Sequence, residues 1–110
     1  MYITEEKENV NKEKLISIGN IDKIIHEPAR LMILSLLYVI ESADFKFVKG
    51  QTNLSWGNLS SHISKLEEAG YVEVEKKTKG KKPITLFKLT PQGRNAFEKY
   101  REDMKQFLKE

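Results

Sequence analysis

Short polar side chains and lysines occupy two neighbouring stretches in the middle of this 110-residue sequence. Residues 55–65 carry serine, asparagine, histidine and lysine side chains, which can donate or accept hydrogen bonds at the edges of DNA bases. Residues 76–82 hold five lysines and no acid. Ammonium groups neutralise phosphates without distinguishing one base from another. The two stretches together are therefore typical of a surface that contacts DNA.

The first stretch is predicted to lie on a helix that begins after Ser55, its N-cap, and ends at Gly70 in the left-handed conformation. Leu59, Ile63 and Leu66 recur at helical spacing and would face the core. At about 100° per residue, small polar side chains fall on the opposite face. Serine and asparagine are poor helix formers, so their number favours a functional face over a merely solvated one. The candidate DNA-reading residues are Ser55, Trp56, Gly57, Asn58, Ser60, Ser61, His62, Ser64 and Lys65.

Two of these residues, Trp56 and His62, allow more than one interpretation. The helical angle of Trp56 places it near the core edge, which favours packing, although its indole N–H could also reach a phosphate. His62 lies at a similar distance from the centre of the apolar face. A structural or phosphate-contacting role is favoured for His62 over a pH switch or a metal ligand.

The second stretch is predicted to lie on a β-hairpin. Residues 71–76 alternate and contain β-branched side chains, as in a strand, and residues 84–89 are its predicted partner. Gly80 lies midway in the connection, where it can supply a positive φ. The candidate DNA-contacting residues of this hairpin are Lys77, Lys79, Gly80, Lys81 and Lys82.

Helices are predicted on both sides of these stretches. Pro28 suits the first turn of a nearly continuous apolar helix that ends near residues 41–43, and Arg30 would form an ion pair at its start. Residues 45–52 form a two-turn helix, in which Phe45 and Val48 face inward. Lys46 and Lys49 on this helix are weaker candidates for contacts to the DNA backbone.

The remaining predictions concern the two ends of the chain. Thr90 and Pro91 open a last helix that runs to about Leu108. Another helix should precede Pro28, with a break near Gly19 and Asn20. The expected fold is therefore mainly α with a small antiparallel β-hairpin (α+β), in the order α-α-α-α-β-β-α.

Charge and composition narrow the function classes. Residues 1–44 carry 5 basic and 8 acidic side chains, whereas residues 45–110 carry 14 basic and 8 acidic ones, which indicates a polyanionic partner approached from one side. The absence of cysteine excludes disulfides, thiolate metal sites and cysteine nucleophiles. We find no nucleophile–base pair, phosphate-binding glycine loop or metal-ligand spacing, so we expect no catalytic or metal-binding residues, no cofactor and no enzyme. The polar start and the short apolar runs predict a cytoplasmic protein without a membrane partner.

Three motifs, in order, resemble winged helix-turn-helix transcriptional regulators of the MarR-like and ArsR-like families. The segment HEPARLMIL at 26–34 is similar to the opening helix of ArsR-like repressors, and SSHISKLEEAGYV at 60–72 is similar to their recognition helix. The segment LTPQG at 89–93 is similar to the junction between the hairpin and the last helix of MarR-like regulators. The resemblance covers roughly residues 20–108. It implies a DNA-binding homodimer whose third core helix enters the major groove while the hairpin, called the wing, lies along the flanking backbone or minor groove. Because this chain has no cysteine, thiolate metal sensing is not carried over.

The apolar stripe of the last helix has two interpretations, since it could pack only on its own domain or also form a dimer interface. We favour dimerisation. The predicted organisation is an N-terminal arm or helix over 1–19 that could also dimerise, a winged-helix DNA-binding core over 20–90, and a C-terminal dimerisation helix over 91–110. The expected interface residues are Leu15, Ile16, Ile18, Phe97, Tyr100, Met104, Phe107 and Leu108.

The leading hypothesis is a sequence-specific, homodimeric repressor that binds a palindromic operator in double-stranded DNA. Its partners would be DNA, a second copy of the chain and an unidentified small-molecule effector. Two alternatives stay open: a winged-helix module that binds another protein, and a nonspecific nucleic-acid-binding protein.

Overall fold

A computed structural model describes residues 19–108, which form four helices and a three-stranded antiparallel sheet. The expected α+β class and the wing are confirmed. The sheet has the strand order β1-β3-β2. The elements are α1 (Pro28–Ile40), β1 (Ser42–Asp44), α2 (Phe45–Thr52), α3 (Trp56–Glu68), β2 (Val72–Lys79), β3 (Lys82–Leu89) and α4 (Pro91–Leu108).

Helix α1 is the centre of the core, as its broad apolar surface predicts. Ile33, Leu34 and Leu37 on α1 have no exposed surface. Side chains from every other helix and from β2 and β3 join the same cluster, so one core holds all these elements together. The buried residues contributed by the other helices and the two long strands are Val48, Leu59, Ile63, Leu66, Val72, Phe87, Leu89, Phe97 and Tyr100.

The segment before α1 differs from the prediction. Residues 20–27 form turns rather than a helix. The carboxylate of Asp22 accepts hydrogen bonds from the backbone N–H groups of Ile24 (2.8 Å) and Ile25 (3.2 Å), which stabilises a turn. Ile21 and Ile25 are buried, so their helix-like spacing reflects contact with the core and not a continuous helix. The predicted interface residues Leu15, Ile16 and Ile18 lie outside the described residues.

Strand β1 is a feature that the sequence prediction lacked. It pairs with the end of β3 in the register Ser42 to Lys88, Ala43 to Phe87 and Asp44 to Leu86. Three residues are too few to show a period of two, so no pattern marked this strand. On this side of β3, the pairing covers only the half of the strand nearer the core, from Leu86 to Lys88.

The wing is longer and its turn tighter than predicted. The two strands pair from Val72 opposite Leu89 out to Lys79 opposite Lys82, so the loop is only Gly80 and Lys81. Gly80 has a φ of 66°, as the first central residue of a type II′ hairpin turn requires. Most of the lysines that were expected in a loop therefore lie on strands, where Lys77, Lys79 and Lys82 share one face of the hairpin.

A close junction fixes the end of α3 to the start of α4. The hydroxyl of Thr90 donates to the carbonyl of Gly70 (2.6 Å) and accepts from the N–H of Gly93 (2.9 Å). A Cβ on Gly93 would lie 2.1 Å from the carbonyl oxygen of Tyr71, so only glycine allows this approach. The LTPQG motif therefore ties the start of α4 to the end of α3.

The phenol of Tyr71 anchors the same junction to the turn at Asp22, to whose carboxylate it donates a hydrogen bond. Burial raises the pKa of Tyr71 to about 12, and the hydrogen bond and charge of Asp22 add to this effect. The phenol therefore stays protonated at physiological pH. No helix within residues 19–108 has both the length and the apolar character needed to cross a membrane.

Candidate nucleic-acid interface

Helix α3 is held to the core by one face and is open on the other. Leu59, Ile63 and Leu66 are at most 4% exposed. The hydroxyl of Ser55 caps the helix by accepting the N–H of Asn58 at 3.1 Å, as predicted. The side chains of the opposite face are exposed along its length. The predicted reading residues that the structure leaves exposed are Ser55, Trp56, Gly57, Asn58, Ser60, Ser61, Ser64 and Lys65.

Trp56 both packs and remains accessible. Its ring stacks on Phe45 with centroids 5.0 Å apart and an interplanar angle of 19°, while Lys49 lies over the ring at 5.1 Å. The side chain is nevertheless 55% exposed, which is unusual for the largest aromatic residue. Trp56 therefore presents an apolar surface next to cations at the start of α3.

His62 belongs to a half-buried charged cluster and not to the open face of α3. Its Nδ1 lies 3.2 Å from Nη1 of Arg30 and 3.5 Å from Oε2 of Glu27. The guanidinium of Arg30 also donates from Nε to the carbonyl of Ile24 at 2.6 Å. The cluster joins α3 to the start of α1, which supports the structural interpretation of His62. Arg30 forms the predicted ion pair, with Glu27 at 3.9 Å.

Glu27 is the residue of this cluster that sequence reasoning missed. Its carboxylate caps α1 by accepting the N–H groups of Ala29 (3.1 Å) and Arg30 (2.8 Å). Partial burial would raise the pKa of Glu27, but these two hydrogen bonds and the charges of His62 and Arg30 outweigh it and hold the pKa below its usual value. Pro28 marks where the helix begins, but glutamate is not a favoured N-cap residue, so the capping role of Glu27 had no sequence signal of its own.

Positive charge is concentrated at the tip of the wing. Lys79 lies directly opposite Lys82, and Gly80 and Lys81 connect them. Like charges in directly opposed positions destabilise a hairpin, which indicates that the tip is arranged for something other than its own stability. Nearer the core, Lys77 forms an ion pair with Glu75 at 3.5 Å. The exposed lysines in the outer half of the wing are Lys76, Lys77, Lys79, Lys81 and Lys82.

The two lysines of α2 lie next to the same surface. Lys46 is exposed, whereas Lys49 is half-buried against Trp56. Both lie in the sequence between β1 and α3, so α2 adds cations beside the first turn of α3. Their predicted contact with the DNA backbone stays a prediction.

The predicted interface on α4 needs a correction. Phe97 and Tyr100 are each 6% exposed and belong to the core of the same chain. Phe97 packs on Tyr38 with centroids 5.0 Å apart, and the Tyr100 hydroxyl lies 2.9 Å from Nδ1 of His26. These two residues are therefore not presented to a second copy. Farther along the helix, Met104 and Phe107 are half-buried and Leu108 is 68% exposed.

Among residues 19–108, no group of three or more histidine and carboxylate side chains is placed to hold a metal ion. All buried side-chain polar atoms in this part of the chain have hydrogen-bond partners.

Comparison with known proteins identifies this arrangement. The family described as "winged helix DNA-binding domain" matches residues 29–108. This match covers α1 through α4, so it includes both the open face of α3 and the wing. The family is one of DNA-binding domains, in agreement with the expectation that the chain is not an enzyme.

Similar proteins come from archaea and bacteria. The uncharacterized protein MJ0432 of Methanocaldococcus jannaschii is 40% identical over 79% of this chain and 95% of its own length. The uncharacterized HTH-type transcriptional regulator YdgJ of Bacillus subtilis is 30% identical over 74% of this chain, which spans 49% of YdgJ. A transcriptional regulator homologue from Pyrococcus horikoshii OT3, solved as a structure, has a TM-score of 0.77 and 30% identity, covering 84% of this chain and 91% of that one.

Proposed function

The chain belongs to the winged helix DNA-binding domain family, and we propose that it is a sequence-specific transcriptional regulator that binds double-stranded DNA. The arrangement of α3 carries the proposal. Three buried apolar side chains hold the helix to the core, while Asn58, Ser61 and Lys65 stay exposed. Short polar groups on an exposed helix can read base edges in the major groove. The names of YdgJ and of the Pyrococcus protein, which describe regulators of transcription, support this assignment.

The wing supplies affinity in this proposal. Each phosphate that a lysine neutralises releases a counterion, so binding becomes salt-dependent without specifying sequence. The repulsion between Lys79 and Lys82 would be relieved when phosphates lie against the tip. The wing therefore lies along the flanking backbone or minor groove, while α3 enters the major groove.

The functional unit in this proposal is a homodimer that represses transcription by covering a promoter. A two-fold dimer would place two copies of α3 about 34 Å apart, one turn of DNA, and would require a palindromic operator. In this proposal residues 20–90 are the DNA-binding core, residues 91–110 contribute the dimer contact, and residues 1–19 are an additional arm. The proposal also includes an unidentified small-molecule effector and a cytoplasmic location for the protein.

Mobility shifts with duplexes from the region upstream of the protein's own gene test this function. We expect a complex that weakens steeply with salt and survives an excess of unrelated duplex, because specific sites are typically bound about 10³-fold or more tighter than other DNA. Equal competition by unrelated duplex would favour the nonspecific binder. Absence of any complex at low salt would leave the protein-interaction module as the remaining interpretation.

A further inference from the structure

A cavity of about 350 Å³ lies between the first turn of α3, the start of α2 and the outer half of β3. The stacked rings of Trp56 and Phe45 form one wall. Pro83 and Thr85 of β3 form the facing wall, with Lys46 and Lys82 also in the lining. The cavity therefore separates the two surfaces that were proposed to contact DNA, α3 and the wing.

The facing wall is an uncovered strand edge. Strand β1 stops at Asp44, opposite Leu86, so within residues 19–108 no strand pairs with β3 on that side from Lys82 to Thr85. Leu89 donates its backbone N–H to Glu41 on the β1 side, and residues two apart on a strand face the same way. Thr85 and Pro83 therefore face the open edge. Pro83 has no N–H to leave unpaired, whereas Thr85 has one that can serve as a donor.

The charges around the cavity favour an anion. Lys46 and Lys82 are exposed lysines in its lining, and Lys49 lies over the Trp56 ring. The lining also contains the carboxylate of Asp44. That carboxylate accepts the backbone N–H of Phe47 at 2.7 Å as the N-cap of α2, so part of its charge is engaged by the helix.

We propose that this cavity receives one phosphodiester group of a DNA strand, with the deoxyribose against Trp56 and the phosphate between Lys46 and Lys82. This inference rests on the proposed function. The site is continuous with α3 on one side and the wing on the other, and its apolar wall next to cations matches a sugar joined to a phosphate. A backbone held there fixes the position of the wing relative to the base pair that α3 reads.

Trp56 is the single tryptophan of the protein, so its fluorescence reports on the cavity without any substitution. Binding of a labelled duplex is followed by anisotropy, while acrylamide quenching of Trp56 reports its accessibility. We expect quenching to fall as the duplex binds. A bound duplex with unchanged quenching would overturn the inference and leave the proposed function standing, whereas absence of anisotropy change at low salt would overturn the proposed function itself.

A substitution gives an independent test. Lys46→Ala should lower the slope of log affinity against log salt by about one, as expected for one lost phosphate contact. Lys88→Ala is the matched control, since Lys88 is an exposed lysine at the β1-covered end of β3 and does not line the cavity. Equal slopes for wild type and Lys46→Ala would contradict a phosphate at this site, provided that circular dichroism shows both proteins folded.

Neutral phosphates locate the contact. Replacing single phosphates of the duplex by methylphosphonates should weaken wild-type binding at one position in each half of the binding site. At that position the loss should be smaller for Lys46→Ala, which keeps only the Lys82 contact. If the two proteins respond alike at every position, Lys46 acts only through the general field and the inference fails.

Discussion

Asn58 and Ser61 are exposed residues in the first two turns of α3, where side chains can approach base edges. Alanine at either position should change which bases are preferred, with a loss of about 1–3 kcal/mol for the wild-type sequence. Selection from random duplexes with each variant measures this change. Glu67→Ala, at an exposed position near the end of α3, is a control. An equal loss on all sequences would show that Asn58 and Ser61 only position the helix.

The wing lysines should behave differently because they contribute charge and no sequence information. The double variant Lys79→Ala and Lys81→Ala should bind every duplex more weakly and lower the salt slope by about one to two. Removing Lys79 also removes the repulsion with Lys82, so the free protein should not become less stable. Titrations over a range of salt concentrations measure the slope, and an unchanged slope would remove the wing tip from the contact surface.

Glu27 predicts a pH dependence of stability. The pKa of Glu27 is lowered in the folded protein. Its carboxylate therefore stabilises the fold at pH values above the ordinary carboxylate pKa, and this stabilisation is lost as the pH falls through the lowered pKa. Glu27→Gln should therefore reduce the free energy of unfolding by about 1–2 kcal/mol at neutral pH. The difference from wild type should shrink in acid. Urea unfolding at several pH values tests this, with exposed Glu68→Gln as a control, and a pH-independent difference would contradict it.

At the scale of elements, the junction between α3 and α4 makes opposite predictions for two glycines. Gly93→Ala places a Cβ 2.1 Å from the Tyr71 carbonyl oxygen and should destabilise the protein by more than about 2 kcal/mol. Gly57→Ala meets nothing within 4 Å and should stabilise α3 by about 0.5–1 kcal/mol. Urea unfolding of both variants checks the pair. A Gly93→Ala protein as stable as wild type would show that the junction is looser than the structure indicates.

Elements with local signals were predictable from the sequence. Ser55 caps α3, Thr90 and Pro91 open α4, and Gly70 and Gly80 adopt positive φ, because each of these features depends on neighbouring residues. Strand β1 was not predictable, since its three residues are ordered by pairing with β3. The turn at 20–27 was also missed because burial of Ile21 and Ile25 imitates helical spacing.

The candidate site was predictable to a different degree on each element. Periodicity correctly separated the buried and exposed faces of α3, because one helix face packs on one core. The periodicity of α4 predicts an apolar stripe but does not show which surface covers that stripe. In the structure, Phe97 and Tyr100 of this stripe pack in the core of the same chain. The cavity at Trp56 depends on where β1 ends, which no local pattern contains.

At the scale of the whole molecule, the structure narrows the proposed dimer contact. Buried positions on α4 lie in its first ten residues, whereas exposure rises toward Leu108. The predicted contact among the described residues therefore reduces to the second half of α4, with Met104, Phe107 and Leu108. Because the junction ties α4 to α3, a dimer contact through α4 would also set the distance between the two copies of α3.

Selection from random sequences tests whether the protein binds specific DNA sites as a two-fold dimer. The full chain is incubated with a library of random duplexes, and bound molecules are amplified and sequenced. We expect enrichment of an inverted repeat whose half-sites are centred about 10–10.5 base pairs apart. Recovery of duplexes without any enriched sequence, at salt concentrations where binding is measurable, would contradict it.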